Sequence, residues 1–323
     1  MIVYKIIKKE GEKMNNLYIM IGLPGSGKST IAKNISAEED AIIVSTDELR
    51  EKMLDDVNNQ EKNSYIFLEA EKIMKENLKT NNVIFDATNI DYKRRRNLIN
   101  KFSKYTNQII LCFVWASYYE CLARNEMRER KVPEEVIKRM YMNIDTPQLF
   151  EERYIENKVR IEVYYNSQID FTKINIKEIE DKINISHDNP HHKLNVLEHS
   201  LKASDMFEES SLKLAAYLHD IGKPFCKTFI NTKGEKTDIA HYYNHEKVGA
   251  YDSIPYILNH TFNNLERYKY PYWYTLYISN LIRWHMLLYS NLSNEKIKKY
   301  IDLFGETFWI DLKLLHEADK NAD

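Results

Sequence analysis

A glycine-rich loop between an apolar strand-like run and a helix-like segment constrains this chain more than any other feature. Residues 22–29, GLPGSGKS, follow the apolar run 17–21 and fit the pattern GxxxxGK[ST]. In such a loop, backbone N–H groups point inward and cradle a β-phosphate, and the following helix adds the positive end of its dipole. We expect Lys28 to reach the β- and γ-phosphates and the Ser29 hydroxyl to hold Mg²⁺. The residues predicted to bind ATP are Gly22, Leu23, Pro24, Gly25, Ser26, Gly27, Lys28, Ser29 and Thr30.

Further strand-like runs alternate with helix-like segments through the first half of the chain. These runs cover residues 41–45, 82–87 and 108–116, and a last strand is expected at 159–165. Strands that alternate with helices predict a parallel α/β sheet, and continuous apolar strands fit burial on both faces. Ligands of such sheets bind at the carboxyl ends of the strands.

Two aspartates follow predicted strands and are therefore expected at that edge of the sheet. Asp47 follows the second strand in STDELR, where its carboxylate is placed to accept the proton of an attacking hydroxyl. Arg50, three residues further on, is predicted to share its face. Asp86 ends the strand in NVIFDATN and is predicted to orient the acceptor, the loop or a metal-bound water. The structural alternatives are a helix N-cap for Asp47 and a plain hydrogen-bond acceptor for Asp86.

A pair of arginines further along the chain suits a lid over the triphosphate. Arg124 and Arg128 lie four residues apart in LARNEMR, a spacing that puts both on one face of a helix. Two guanidinium groups there would stabilise charge on the transferring phosphoryl group. The alternative is a solvated charged face. The catalytic residues predicted for this half are Lys28, Asp47, Arg124 and Arg128.

These motifs resemble the kinase domain of the bacteriophage polynucleotide kinase-phosphatase family. The resemblance covers about residues 16–150 and rests on GLPGSGKST, TDELR, DATN, RNEMR and VPEEVIKRMY. It implies that Asp47 is the general base for a polynucleotide 5′-hydroxyl, that Arg50 contacts the acceptor phosphate and that Arg124 and Arg128 are lid arginines. Together with Arg50, Asp86 is predicted to bind the acceptor. The sequence departs from the family at Thr46, where the family prototype has a basic residue. Related P-loop kinases of small molecules, nucleotides and charged tRNA share the loop and the DATN element, so the acceptor stays open.

The second half of the chain carries a different chemistry. All ten histidines lie after residue 186, in segments that are nearly all helix-like. Imidazole and carboxylate groups bind divalent metals, and the adjacent pair His219-Asp220 is the most informative, because a carboxylate can bridge two metals. Lys223 is predicted to direct its cation toward a phosphate. The predicted metal ligands are His199, His219, Asp220, His245, His285 and Asp319, and the predicted catalytic residues are Asp220 and Lys223.

This set resembles the two-metal form of the HD phosphohydrolase superfamily over about residues 187–323. The resemblance rests on VLEHS, LHDIGKP, HYYNHEKVGA, IRWHM and HEADKNAD. It implies an all-α domain in which His245 and His285 hold the second metal. His191 or His192 remains an alternative to His199 as the first ligand. An imidazole-rich site favours Mn, Ni, Co or Fe over magnesium. The histidines expected to be structural are His187, His260 and His316.

Length and composition fit a two-domain protein of a reducing compartment. The chain has 323 residues and three cysteines without a CxxC pair, which predicts a cytoplasmic location. No apolar run approaches the ~20 residues of a membrane span, so no membrane association is expected. The formal net charge of −2 means that nucleic acid must be bound by local basic clusters. We predict a P-loop domain over 14–167, a linker over 168–186 and the HD domain over 187–323, with translation starting at Met1 or Met14.

The combination of the two halves predicts a nucleic-acid end-healing enzyme. One half would phosphorylate a 5′-hydroxyl with ATP and Mg²⁺, and the other would remove a 2′,3′-cyclic phosphate or 3′-phosphate. The expected partners are nucleic acid ends, RNA rather than DNA, and an RNA ligase that joins the healed ends. The alternative is a small-molecule or nucleotide kinase fused to a nucleotide-hydrolysing HD domain. The two halves are expected to work independently of each other.

Overall fold

The computed structural model describes residues 15–54, 62–190, 193–208, 211–262 and 271–322. Strands and helices alternate in the first half, as the sequence predicts. The strands are β1 (Leu17–Ile21), β2 (Ala41–Ser45), β3 (Asn82–Asp86), β4 (Ile109–Trp115) and β5 (Val159–Tyr165). The helices are α1 (Lys28–Glu39), α2 (Thr46–Leu54), α3 (Asn63–Asn77), α4 (Tyr92–Phe102), α5 (Tyr118–Glu126) and α6 (Glu134–Tyr141), followed by a 3₁₀ helix, Leu149–Arg153.

The five strands form one parallel sheet in the order β2-β3-β1-β4-β5. All residues of β1 and β4 are buried, because both strands are apolar throughout and are covered on both faces. The central position of β1 places the glycine-rich loop in the middle of the carboxyl edge. The neighbouring β3 and β2 bring Asp86 and Asp47 to the same edge. The predicted α/β domain with a parallel sheet is confirmed.

The second half is mainly helical, which confirms the predicted HD-type architecture with one addition. Its helices are α7 (Ile176–Ile183), α8 (Val196–Ser204), α9 (Ser211–Leu218), α10 (Lys223–Cys226), α11 (His245–Asp252), α12 (Ile254–Phe262), α13 (Pro271–Trp284), α14 (Asn294–Phe304) and α15 (Glu306–Asn321), with a 3₁₀ helix His285–Tyr289 after α13. The all-α expectation misses an antiparallel hairpin of β6 (Thr228–Ile230) and β7 (Lys236–His241). The intervening turn requires Gly234, whose φ is +83°, and these short, largely exposed strands lack the apolar runs that marked the sheet.

The segment predicted as a linker, residues 168–186, is folded onto the helical half. It contains a 3₁₀ helix, Phe171–Lys173, and helix α7. Ile179 and Ile183 of α7 are buried in the hydrophobic core of the helical half. A polar segment with isoleucines four residues apart therefore packs one helical face against the domain instead of serving as a free connection.

The two halves share hydrophobic core along the end of β4. Tyr251 of α11 donates its hydroxyl to the carbonyl of Ala116 at 2.6 Å, and the Trp115 indole donates to the carbonyl of Tyr251 at 3.1 Å. Val248, Ile254 and Leu258 belong to the same buried cluster as β1 and β4. The expected independence of the halves therefore does not extend to their packing.

A second seam joins the connection between α6 and the 3₁₀ helix at Leu149 to helix α13. Asn280 accepts from the backbone N–H of Leu149 at 2.8 Å, and the Trp284 indole donates to the Gln148 side chain at 2.7 Å. The Arg283 guanidinium pairs with Asp145 at 2.6 Å. These contacts fix the helix that leads directly into His285.

Candidate active sites

The glycine-rich loop between β1 and α1 has the shape that its sequence predicts. Gly25 and Gly27 have φ values of +82° and +91°, which favour glycine. A Cβ on Gly25 would lie 2.3 Å from the carbonyl oxygen of Cys121, so the loop packs tightly on α5. The buried Lys28 ammonium donates to the carbonyl of Leu23 at 2.7 Å. Burial lowers the pKa of Lys28, and the Asp86 carboxylate opposes that shift.

Ser29 and Asp86 lie next to each other at the carboxyl edge of the sheet. The Ser29 hydroxyl donates to the Asp86 carboxylate at 2.7 Å. A hydroxyl and a carboxylate oxygen are ligands that suit Mg²⁺. This contact places Asp86 against the phosphate loop, one of the roles that its position at the end of β3 predicts, and its acceptor-binding role stays a prediction. The neighbouring Asn89 ties the same loop to β1 by donating to the Met20 carbonyl at 2.8 Å.

The Asp47 carboxylate is held between two arginines at the start of α2. Arg50 approaches one oxygen at 2.8 Å and Arg130 the other at 3.0 Å. The Asp47 side chain remains 52% exposed, whereas Arg50 is buried. Both carboxylate oxygens are therefore paired with a cation, while half of the side chain stays open to solvent.

Sequence reasoning missed Arg130. It supplies a cation beside Asp47 in a chain that has Thr46 where the related family has a basic residue. Its position depends on a tight turn, in which the Asn125 side chain bonds both the N–H and the carbonyl of Val132, at 2.9 and 2.8 Å. A long-range contact of this kind leaves no periodic signal in the sequence.

The two arginines predicted for the lid occupy different environments. Arg124 donates to the carbonyl of Asn166 at 2.9 Å, and the Asn166 side chain in turn donates to the carbonyl of Ser26 in the phosphate loop at 2.7 Å. Helix α5 ends at Glu126, so exposed Arg128 lies beyond it and the expected single helical face is wrong. Arg128 is close enough to Lys28 for its positive charge to lower the pKa of that lysine.

In the helical half, the predicted metal-binding side chains converge on Asp220. His199 and His219 lie 3.9 and 3.3 Å from its Oδ2 atom, and His245 lies 3.5 Å from its Oδ1 atom. Asp319 accepts from His199 Nε2 at 2.9 Å and lies 3.4 Å from His219 Nε2. The Nε2 atoms of His245 and His285 are 3.2 Å apart. The two oxygens of the Asp220 carboxylate thus face two groups of side chains, His199 with His219 and His245 with His285, and all these residues are buried.

The orientation of the imidazoles fits a bound cation. Nδ1 of His219, His245 and His285 faces the carbonyl of Ala216, Tyr242 and Ile282, at 2.6, 2.8 and 2.6 Å. A carbonyl only accepts, so each Nδ1 carries the proton and each Nε2 lone pair points inward. Two lone pairs at 3.2 Å, as for His245 and His285, need a proton or a metal between them.

The electrostatics of this centre favour positive charge. Burial lowers the pKa of His219, but Asp220 and Asp319 outweigh it and raise that pKa to about 10. Burial and the neighbouring imidazoles of His245 and His219 lower the pKa of His285 to about 3. The two carboxylates that favour a proton on His219 would equally favour a metal cation in its place, and carboxylates combined with imidazoles form a donor set suited to Mn, Fe, Co or Ni.

Lys223 and His187 complete the centre. The buried Lys223 ammonium lies 2.6 Å from Asp220 Oδ2 and donates to His187 Nε2 at 3.1 Å. His187, which was expected to be structural, is buried and lies 4.0 Å from Asp220. Its position in a polar segment, outside the recognisable helices, gave no spacing signal. His191 and His192 lie outside the described residues.

Each half of the chain matches a known protein family. Residues 17–147 match the family described as AAA domain, and residues 191–307 match the HD domain. The L-seryl-tRNA(Sec) kinase of Methanococcus maripaludis is 31% identical over 231 residues, covering 69% of this chain and 84% of that protein. The chain belongs to this kinase family. The alignment is longer than the predicted P-loop domain, residues 14–167, so it extends into the helical half of this chain. The predicted fusion of a P-loop kinase and an HD domain is confirmed, and the chain is an enzyme.

Solved structures with partial similarity include two of a Pnkp1/Rnl/Hen1 complex. They are 26% and 25% identical, cover 39% and 42% of this chain and 43% and 45% of theirs, with TM-scores of 0.33 and 0.37. The chain thus spans less than half the length of those proteins. A putative kinase from Chloroflexus aurantiacus is 14% identical, with 52% of this chain and 95% of that one covered and a TM-score of 0.37. Among the described residues, no helix combines the length and apolar character needed to cross a membrane.

Proposed function

We propose that the chain is a bifunctional enzyme of RNA ends, with a 5′-hydroxyl kinase in the first half and a 2′,3′-cyclic phosphate or 3′-phosphate phosphohydrolase in the second. The observation that carries the kinase proposal is the Asp47 carboxylate, half-exposed and held by Arg50 and Arg130 at the edge of the sheet that bears the phosphate loop. Cations around the acceptor base favour an acceptor that carries phosphate.

The kinase residues divide the work of phosphoryl transfer. The loop N–H groups and Lys28 bind the β- and γ-phosphates, and Ser29 with Asp86 provides the oxygen ligands for Mg²⁺. Asp47 accepts the proton of the acceptor hydroxyl as its oxygen attacks the γ-phosphorus, and ADP leaves on the opposite side. Arg124 and Arg128 lie beside the loop, where they stabilise charge on the transferring group.

The phosphohydrolase half provides a preformed cradle for a terminal phosphate. His199, His219, Asp319 and Asp220 would hold one divalent metal, and Asp220, His245 and His285 would hold a second. Metals bound there would supply an activated water and neutralise phosphoryl oxygens. Asp220 presents one oxygen to each ligand group, and His199, His219 and Asp319 anchor one side. Lys223 brings its ammonium within reach of the same space, where it binds a phosphate oxygen. A terminal phosphate needs only one open face, which suits this enclosed site better than an internal phosphodiester does.

A second acceptor is favoured by a specific observation. The relative that is 31% identical is named for a seryl-tRNA acceptor, so its hydroxyl also sits at an RNA end. The same Asp47 geometry would serve a serine hydroxyl carried by tRNA. The partner protein in the 5′-hydroxyl case is an RNA ligase, since the products are a 5′-phosphate and a 3′-hydroxyl. In the seryl-tRNA case no ligase is required.

An acceptor screen tests the proposal. Purified protein with labelled ATP and Mg²⁺ is offered 5′-hydroxyl RNA, 5′-hydroxyl DNA, seryl-tRNA, nucleosides and small hydroxyl compounds, with Asp47→Asn protein as the control. We expect label on 5′-hydroxyl RNA that disappears in the variant. Label on seryl-tRNA alone would establish the second acceptor. Label only on a nucleoside or small molecule would overturn the proposal in favour of nucleotide or small-molecule metabolism.

A further inference from the structure

Arg94 lies flat against an aromatic ring near the kinase acceptor edge. Its guanidinium carbon is 3.4 Å from the centroid of the Phe67 ring, and the residue is exposed. Arginine stacked on a ring keeps its N–H donors in the guanidinium plane, directed away from the ring edge. This geometry fixes a side chain that would otherwise be mobile, and it leaves those donors for a ligand.

The Arg94–Phe67 pair belongs to the acceptor side of the sheet. Phe67 packs edge-on against Phe85 at 6.1 Å between ring centroids, and Phe85 directly precedes Asp86 in β3. Arg94 lies in the first turn of α4, which follows β3, and Arg50 lies in α2, which follows the neighbouring strand β2, so both belong to the carboxyl edge of the sheet. Burial lowers the pKa of Arg94, the Glu71 and Asp91 carboxylates oppose that shift, and the Arg50 charge adds to it.

The carboxylates near Arg94 are already engaged. Asp91 caps α4 by accepting from the backbone N–H of Arg94 at 2.9 Å, and Glu71 pairs with Lys101. Glu71 and Asp91 act on the Arg94 charge through space, but among the described residues neither carboxylate forms an ion pair with it within 4.0 Å. The N–H donors of Arg94 therefore remain available for a phosphate.

We propose that Arg94, supported by Phe67, is a phosphate subsite for the acceptor RNA strand, one phosphate beyond the one contacted by Arg50. The inference rests on the proposed kinase function and adds that the acceptor is a strand with successive phosphates. A lone nucleoside or sugar has no group to place there. The subsite gives the enzyme a preference for polynucleotides although its net charge is close to zero.

The test compares Arg94→Gln with Lys93→Gln, which removes the same charge from the adjacent exposed position of α4. Kinetics are measured with a short 5′-hydroxyl RNA oligonucleotide, with a nucleoside 3′-monophosphate and with varied ATP. We expect Arg94→Gln to raise the KM for the oligonucleotide about 10-fold and to reduce the salt dependence of binding by about one phosphate contact. The KM for ATP, and for the nucleoside 3′-monophosphate, should change less than about twofold, as should every constant of Lys93→Gln.

Two further results separate the subsite from the proposed function. Phe67→Leu, which keeps apolar packing on Phe85 but removes the flat face, should give a smaller loss with the same pattern. If wild-type protein phosphorylates RNA and Arg94→Gln behaves like Lys93→Gln, or loses equally on the nucleoside 3′-monophosphate, the subsite is overturned alone. If wild-type protein phosphorylates no RNA, the proposed function and the subsite fall together.

Discussion

The two candidate active sites of this chain differ in how exposed their central side chains are. In the kinase half the Asp47 side chain is 52% exposed, and its partners come from α2 and the turn after α5. In the HD half the converging side chains are all buried, and Nδ1 of His219, His245 and His285 faces a backbone carbonyl. A kinase must admit two diffusing substrates and then close on them, whereas a metal centre must hold its ligands in place beforehand. The comparison teaches that one chain can carry an open and a preformed site side by side.

The two sites are nevertheless built on one packing unit. Helix α11 begins with His245 in the candidate metal-binding cluster and contacts Trp115 of β4 through Tyr251. Helix α13 contacts the 145–149 connection and ends just before His285. The two candidate sites thus rest on a shared hydrophobic core.

The largest effect is expected from Asp220→Asn. The amide cannot present two anionic oxygens to the two ligand groups, so hydrolysis should fall by at least about 10³-fold. Kinase activity should stay within about twofold, because Asp220 lies outside the kinase site. The measurement is phosphate release and kinase rate on the same preparation, with exposed Asp238→Asn as the control. Near-normal hydrolysis would remove Asp220 from the centre of the site.

A loss of about 10²-fold is expected from Asp47→Asn in the kinase half. The substitution keeps the shape between Arg50 and Arg130 but removes the proton acceptor. Glu48 is the next residue in the same helical turn. It is exposed, and among the described residues Arg50 and Arg130 pair with Asp47 and not with Glu48. Glu48→Gln should therefore leave the kinase rate unchanged. Initial rates with labelled ATP and RNA test this, and an Asp47→Asn rate close to wild type would exclude the base role.

The shared core should make both halves unfold together. Trp115→Ala removes a buried indole that packs on Tyr251, at a cost of about 3–5 kcal/mol. We expect one calorimetric transition that shifts as a whole and, in parallel, loss of both activities on heating. Tyr119→Ala, at a residue 72% exposed, serves as the control. Two transitions, of which only one moves, would show that the halves are independent after all.

A smaller, pH-dependent effect is expected at Asp252, which lies at the junction of α11 with the kinase half. Burial raises its pKa to about 6, against opposing contributions from Tyr141 and Lys182. The folded state therefore binds more protons than the unfolded state between about pH 4 and 6, so this group contributes a stability that is lost as pH rises through that window. Asp252→Asn should raise the unfolding free energy at pH 7 by about 1–2 kcal/mol and flatten the pH dependence. An identical pH profile for variant and wild type would contradict this.

Much of both sites was predictable because their residues lie in local patterns. The phosphate loop, TDELR and LHDIGKP each place their key residues within a single turn, and the sequence shows that spacing directly. Arg130 and His187 were missed, since each reaches its site through a turn or a coil without periodic character. The all-helical expectation failed at the hairpin, where β6 and β7 are short and mostly exposed.

The packing between the halves could not be predicted for a related reason. The apolar residues of α11 and α12, such as Val248, Ile254 and Leu258, look like the core of their own domain. In the structure they contact the core of the sheet. Helical periodicity tells which residues are buried but not which partner buries them.

The most direct test of the account is a single RNA that carries a 5′-hydroxyl and a 2′,3′-cyclic phosphate. Purified protein is incubated with this RNA, ATP, Mg²⁺ and, in separate reactions, manganese, nickel or cobalt, and both ends are analysed. We predict a 5′-phosphate in every reaction, because each contains ATP and Mg²⁺. We also predict that the RNA loses its terminal 3′ phosphate in at least one of the reactions with manganese, nickel or cobalt. RNA that remains unchanged at both ends in every metal, while a free nucleotide or small molecule is processed quickly, would contradict the account.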